Sequence, residues 1–377
     1  MKSQIIIIII LIIIYLIAIN HNISEYFEQD QDIYTISQQK TYDHSIYNKY
    51  VDLYFTDFNY KDLSKIVPSK DKKIFISIAS YRDPQCSITL MDLLTKTNKP
   101  ENLVIVICQQ NDTADDECIN IDKINSLQKT GAEIKLIRLL SKDARGPCWA
   151  RFLIQQYWSG EQYFLQIDSH TRFVDKWDTI CIKNLKQARK NSGNKNICLT
   201  NYVSTFNINT NEIEINPLRG PLYIESIDQD DGFFRYNSQY INHMSKPQES
   251  IGWSGCFSFS SSKIMIDAPY DPFTPFLFFG EEMDIFARLY TRGWLMYVPK
   301  DPVCFTMFDR SYRKTFWEHP DQEKTVYLSK LRLYYKFGLY NPEQAALLPK
   351  EIIKQLDNYS LGTKKTFDEF INYCKKK

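Results

Sequence analysis

The chain has no surplus of either charge: 46 lysines and arginines stand against 45 aspartates and glutamates in 377 residues. Without a net basic field, binding to nucleic acid phosphates lacks its electrostatic basis. C-x-x-C pairs are absent from the nine cysteines, and no cysteine pairs with a histidine at zinc-finger spacing. That excludes a structural zinc of the usual kind. The odd count leaves at least one thiol free or paired between chains. Cys108 with Cys118, and Cys181 with Cys198, could each close a loop in an oxidising compartment. Internal repeats are missing too, which excludes a solenoid.

Long apolar runs are scarce. The only one, residues 5–19, has fifteen residues, short of the roughly 20 that cross a bilayer comfortably. At about 1.5 Å per residue it reaches about 22 Å. No small-x-small cleavage site follows it. Lys2 precedes the run, while Glu25, Glu28 and Asp30 follow it, which places the amino terminus in the cytosol. The pattern predicts an uncleaved signal anchor over 1–20, with the body in the ER or Golgi lumen as a single-pass type II protein. A cytosolic enzyme is the alternative. N-x-S/T triplets at Asn22, Asn111 and Asn358 are compatible with the lumen.

Aromatic residues are abundant, with 25 Tyr, 23 Phe and 6 Trp. Such rings line sugar-binding clefts and also fill cores. After a polar stem over 21–70, apolar runs at 73–79, 103–108, 133–139 and 163–167 predict buried strands. Helical spacing lies between them at 86–97, 121–128 and 147–158. Alternation of this kind is the signature of a layered α/β sheet. The second half is less regular. Strands are predicted at 197–202, 222–227, 257–260, 294–299 and 303–307, a polar excursion at 228–250, and a helix over 281–292. A helical extension over 321–377, with two or three surface helices, follows the main domain at 71–320.

The strand at 163–167 ends on Asp168-Ser169-His170. Residues i and i+2 of an extended segment share a face, so Asp168 and His170 point one way. A carboxylate and an imidazole converging at the carboxyl edge of a sheet can hold a divalent cation. The ordinary reading is a turn cap beside a structural histidine. The cluster is too sparse for a two-metal hydrolase.

Six blocks in order, IASYRDPQC, ARGPCWAR, FLQIDSH, GWSGCFSF, FFGEEMD and RSYRKTFWEH, resemble the polypeptide α-N-acetylglucosaminyltransferase family over about 72–320. The resemblance implies a GT-A (Rossmann-like) fold. It also implies a retaining transfer of GlcNAc from UDP-GlcNAc to Thr, Ser or hydroxyproline hydroxyls of a polypeptide. Mn²⁺ or Mg²⁺ would sit on Asp168 and His170. Ser80, Tyr81, Arg82 and Asp83 would meet the uridine, with Asp83 on the base or ribose; the plainer reading of Asp83-Pro84 is a turn. Arg145, Gly146 and Arg151 flank a helix start that suits an anionic group. Trp253 and Gly255 lie beside the donor sugar in this reading, or form a tight bend in the core. Glu281, Glu282 and Asp284 resemble the acidic block that contacts sugar and acceptor, although acids in a first helical turn stabilise it unaided. Relatives supply a third metal ligand, usually histidine, near the position of Thr306. Here Asp309 is the substitute, and His319 is the nearest imidazole. A non-catalytic relative that binds glycans or nucleotide sugars, and transfer of a different hexose, are the alternative functions.

Overall fold

The structure, a computed structural model, describes residues 44–119, 129–206, 219–230, 232–242 and 244–375. The apolar run at 5–19, the Asn22 triplet and the helix expected at 121–128 lie outside them. Among the described residues, no helix is long and apolar enough to cross a membrane.

The first half alternates as its apolar spacing predicts. β1 (Ile74–Tyr81), α2 (Cys86–Thr95), β2 (Leu103–Asn111), β3 (Glu133–Leu140), α3 (Pro147–Gln155) and β4 (Tyr163–Asp168) follow a leading helix α1 (His44–Tyr54). β5 (Thr171–Phe173), α4 (Trp177–Ser192), β6 (Ile197–Thr200) and β7 (Ser204–Thr205) come next. They are followed by β8 (Arg219–Asp230), β9 (Phe233–Asn242), β10 (Gln248–Ser250) and β11 (Phe257–Ser261). α5 (Glu281–Thr291), β12 (Leu295–Val298), β13 (Cys304–Thr306), α6 (Gln322–Lys336) and α7 (Phe367–Lys375) complete the main elements.

Eight strands form one mixed sheet in the order β10-β12-β6-β11-β4-β1-β2-β3. β4, β1, β2 and β3 are parallel neighbours, while β11 runs antiparallel between β4 and β6. Side chains alternate between faces. Phe75 packs with Phe152 and Ile154 of α3 on one side, and Ile74, Ile76 and Ile78 pack with Leu90 and Leu93 of α2 on the other. Burial on both faces explains why β1 and β2 read as unbroken apolar runs. A small sheet of β5, β13 and β7 lies beyond the end of β4.

Three expectations change. The polar excursion at 228–250 is largely the β8–β9 hairpin, whose inward Ile224 and Tyr236 pack in the core. The C-terminal helices are not surface decoration: Leu328, Leu331 and Leu333 of α6 are buried, as is Phe370 of α7. Part of the expected stem belongs to the body, because Val51 and Phe55 at the end of α1 join the same core. The cysteine pairing also differs. Cys86 bonds Cys118, which ties the start of α2 to the loop after β2, whereas Cys108, Cys181 and Cys198 are free and buried.

Buried charge fastens α6 to the body. Asp271 receives Arg332 at 2.8 Å and Lys336 at 3.2 Å, and Lys336 also reaches Asp284 at 2.8 Å. Burial pushes the Asp271 carboxyl up, but Arg332, Lys336 and Arg288 outweigh it and hold it at about 2. Loss of one partner from such a group costs about 3–5 kcal/mol.

Phe55 is 1% exposed, so Phe55→Ala is expected to cost about 3–5 kcal/mol. A stem residue would cost almost nothing. Equilibrium denaturation of the two proteins decides between these outcomes.

Candidate active site

The site forms where β1 and β4 end side by side, with Ala79 in register with Asp168. β4 stops at Asp168, the chain bends through Ser169 and His170, and β5 begins at Thr171. The bend is pinned from both sides. Thr89 Oγ1 donates to the Ser169 carbonyl at 2.7 Å, and Thr306 Oγ1 donates to the His170 carbonyl at 3.2 Å.

Asp83 is the buried centre of this arrangement. Its carboxylate lies 2.7 Å from His170 Nδ1, accepts from Ser169 Oγ at 2.6 Å and Tyr312 at 3.2 Å, and lies 3.5 Å from Arg313 Nε. Burial raises the Asp83 carboxyl, yet His170, Arg313 and Ser169 together hold it at about 2. An ionised acceptor requires Nδ1 to carry the proton, so in the neutral imidazole Nε2 keeps its lone pair. Nε2 stands 3.8 Å from Asp168 Oδ2. A carboxylate behind an imidazole is the arrangement that orients a metal-ligating histidine, so the Asp168–His170 pair fits a divalent cation. No group of three or more His, Cys, Asp or Glu side chains suited to a metal occurs among the described residues.

Asp168 opens onto a cleft of about 230 Å³ that adjoins a second space of about 80 Å³. Arg151, Asp168, Phe278 and Arg310 line both. Glu281, Glu282, Tyr202, Gly255, Cys256, Phe279 and Phe308 belong to the larger space; Tyr81, Gln110, Gly146, His170, Arg313 and Trp317 belong to the smaller. Arg151 rises from α3 and is buried. It bonds Glu281, reaches Asp168 Oδ1 at 3.1 Å, and donates to the Gly255 carbonyl at 3.2 Å. Glu281 also accepts from the Tyr270 hydroxyl. Glu282 accepts from the Gly255 N–H at 2.9 Å and from the Tyr202 hydroxyl at 2.7 Å. Burial lifts the Glu282 carboxyl to about 7 against those two donors, with Glu281 adding to the rise. Burial, with Asp168 adding to it, also pushes the Cys256 thiol up to about 12. Cys256 therefore lines the cleft as a neutral thiol and not as a nucleophile.

Gly146 is required where it stands. Its φ is +83°, and an added Cβ would lie 2.7 Å from the Phe276 Cα.

Several sequence-predicted residues do other work. Asp83 faces inward to His170 and has no oxygen left for a base or ribose. Ser80 is fully buried. Arg82 pairs with Asp112 and Asp115 at 2.9 and 2.8 Å. Arg145 stacks over Trp149 and Tyr54 and lines neither space. Trp253 is a core residue whose indole donates to Ser258, and Gly252 gives way to Ile224, not to a ligand. Asp284 is turned into the Lys336 and Arg288 ion pairs, because its position on α5 faces α6. Asp309 is exposed and binds Ser311, so it does not join Asp168 and His170. His319 bonds the Lys142 carbonyl instead. Sequence reasoning missed Gln110, Phe278, Arg310, Arg313 and Trp317. Arg310, Arg313 and Trp317 lie within the RSYRKTFWEH block and Phe278 opens FFGEEMD, which were the available signals.

The family model Glycosyltransferase (GlcNAc) matches residues 73–136 and 125–376. The chain belongs to this family. No curated protein matches this glycosyltransferase. Among solved structures, GalNAc-T7 with UDP, GalNAc and Mn²⁺ superposes with a TM-score of 0.51 at 16% identity. The likeness covers 87% of this chain and 63% of that one, so this chain spans less than two thirds of its length. TarS of S. aureus, residues 1–349 with UDP-GlcNAc, gives 0.42 at 12% identity over 76% and 72%. The mannosyltransferase PcManGT of Pyrobaculum calidifontis with GDP-Man and Mn²⁺ gives 0.38 at 11% over 84% and 85%. At such identities the likeness is one of fold, a mixed α/β sheet of the GT-A kind.

Because the folded pKa of Glu282 lies above its ordinary value, its contribution to stability is complete below about pH 4.5 and is lost as pH rises through about 7. Glu282→Gln is expected to remove that loss. Thermal melts of both proteins across this window should diverge as pH rises, and parallel curves would contradict the assignment.

Proposed function

We propose that this glycosyltransferase moves GlcNAc from UDP-GlcNAc, with retention, to a hydroxyl of Thr, Ser or hydroxyproline in a polypeptide, and that it needs Mn²⁺ or Mg²⁺. The observation that carries the reading is the Asp83–His170–Asp168 arrangement at the mouth of the cleft. Asp168 and His170 would hold the ion, which supplies Lewis-acid neutralisation of the charge on the departing diphosphate. An imidazole in place of a second carboxylate leans toward Mn²⁺.

The chain's own side chains fit a transfer without a covalent enzyme intermediate. Glu281 is engaged by Arg151 and Tyr270, Glu282 has both oxygens occupied, and Cys256 is a neutral thiol. The acceptor proton then passes to a donor phosphate oxygen, and Arg151 keeps the Asp168 carboxylate in place. Aromatic rings at the cleft mouth, Phe279 and Phe308, are 48% and 41% exposed and offer flat apolar faces to an acceptor. We also place the body in the ER or Golgi lumen behind an N-terminal anchor. The Cys86–Cys118 bond supports this, since such bonds persist in oxidising compartments.

A second reading, a nucleotide-sugar-binding relative without turnover, is favoured by one observation. Thr306, at the position where relatives supply a third ligand, is buried and spent on the His170 carbonyl.

The test is release of UDP from UDP-GlcNAc by the full-length protein, with Mn²⁺ and with chelator. Metal-dependent release that Asp168→Ala and His170→Ala abolish is expected, and Asp83→Asn should weaken apparent Mn²⁺ affinity by about 10–100-fold. Unimpaired release by Asp168→Ala rejects the transferase reading. UDP binding with no release against any acceptor peptide selects the second.

A further inference from the structure

Of the Asn-x-Ser/Thr triplets at Asn22, Asn111 and Asn358, the last two lie in the described body, and the fold treats them in opposite ways. Asn111-Asp112-Thr113 begins on the last residue of β2. Asn111 is 6% exposed, pairs in register with Leu140 of β3, and donates from Nδ2 to the Asp116 carbonyl at 2.8 Å. The Cys86–Cys118 bond closes the loop that follows. A sugar on that nitrogen would have to push the strand end and its loop apart, because a packed interior has no space to give it.

Asn358-Tyr359-Ser360 is built the other way round. Tyr359, 2% exposed, roots a short 3₁₀ turn, Leu356–Tyr359, in the core. Arg332 fixes the chain just before it through the Ile352 and Lys354 carbonyls, at 2.6 and 2.9 Å. With its middle residue turned in, the triplet presents Asn358 to solvent. Among the described residues, Asn358 Nδ2 reaches only the Tyr60 hydroxyl, at 3.5 Å, the long limit of a hydrogen bond. Asn358 also lines a cleft of about 320 Å³ with Tyr60, Phe152, Pro269 and Tyr359. That cleft shares no residue with the spaces beside Asp168.

We propose that Asn358 carries an N-linked glycan and that Asn111, despite its matching triplet, carries none. The proposal rests on the lumenal placement of the body given above. The co-reactant is an oligosaccharide on a lipid diphosphate, brought by the membrane enzyme that transfers it. A bond forms between Asn358 Nδ2 and C1 of the first sugar as the bond from C1 to the diphosphate oxygen breaks. The lipid diphosphate leaves with the bonding pair, and one Nδ2 proton passes to a base of the transferring enzyme. Nδ2 keeps its second hydrogen, so the contact with Tyr60 survives. A bulky polar chain rooted there covers the junction of the 60–64 segment with the body and stands clear of Asp168 and His170.

The experiment makes the full-length chain in a eukaryotic secretory host and treats the microsomal product with peptide N-glycosidase, which converts each glycan-bearing Asn to Asp. Peptide mass spectrometry then reads positions 22, 111 and 358 separately. Conversion at 358 and none at 111 is expected. Asn358→Gln and Ser360→Ala should each lose the glycan at 358, and Ser360→Thr should keep it. A glycan at Asn111 in protein that unfolds cooperatively would overturn the exclusion. Protease treatment of the sealed microsomes separates the remaining cases. A protected chain with no carbohydrate at 358 overturns the assignment and leaves the lumenal reading standing. A digested chain rejects the lumenal reading, and the assignment with it.

Discussion

The contact between Asp83 and His170 organises this protein. A carboxylate with a side chain wholly out of solvent is costly unless its lone pairs are occupied. Here an imidazole, a serine and a tyrosine occupy them, and an arginine lies 3.5 Å away as an ion pair. Those partners come from the bend after β4 and from the segment after β13, while Asp83 belongs to the turn after β1. One buried charge therefore joins three separate parts of the chain. It sets which imidazole nitrogen faces the cleft, and every chemical property inferred for the pair with Asp168 follows from that.

Arg151 is the complementary constraint. It carries a positive charge into the interior at the point where α3, β4, the 252–256 turn and α5 meet. The Glu281 partner makes that burial tolerable, and the Gly255 carbonyl adds a hydrogen bond. An added Cβ on Gly255 would come within 3.2 Å of the guanidinium. The glycine thus lets the arginine come close to the backbone while it lines the cleft.

The parallel core was legible because strands covered on both faces leave continuous apolar runs and short helices separate them. Asp168 and His170 were legible for a related reason, since period two puts them on one side. The β8–β9 hairpin was obscured because its polar residues alternate with Tyr, Phe and Ile, which looks like loop composition with no partner strand in view. Asp83 defeated the reading of its own turn: Asp-Pro is written the same way whether the carboxylate faces solvent or an imidazole 87 residues later. Asp284 and Asp309 show the converse, acids whose positions looked functional and whose oxygens are taken by Lys336 and Ser311.

The bond between Cys86 and Cys118 spans 32 positions of sequence. In the loop-entropy account, closing a loop of that size disfavours the unfolded chain by roughly 3–4 kcal/mol, a sizeable part of what a domain has in total. Cys86 also donates its backbone N–H to the Asp83 carbonyl, so the same cross-link anchors the turn that presents Asp83. The protein's resistance to unfolding and the order of its cleft are therefore both tied to the thiol–disulfide balance of its surroundings. Made in a reducing milieu, the same sequence would be a less stable protein, with a looser hold on the residue that sets its imidazole.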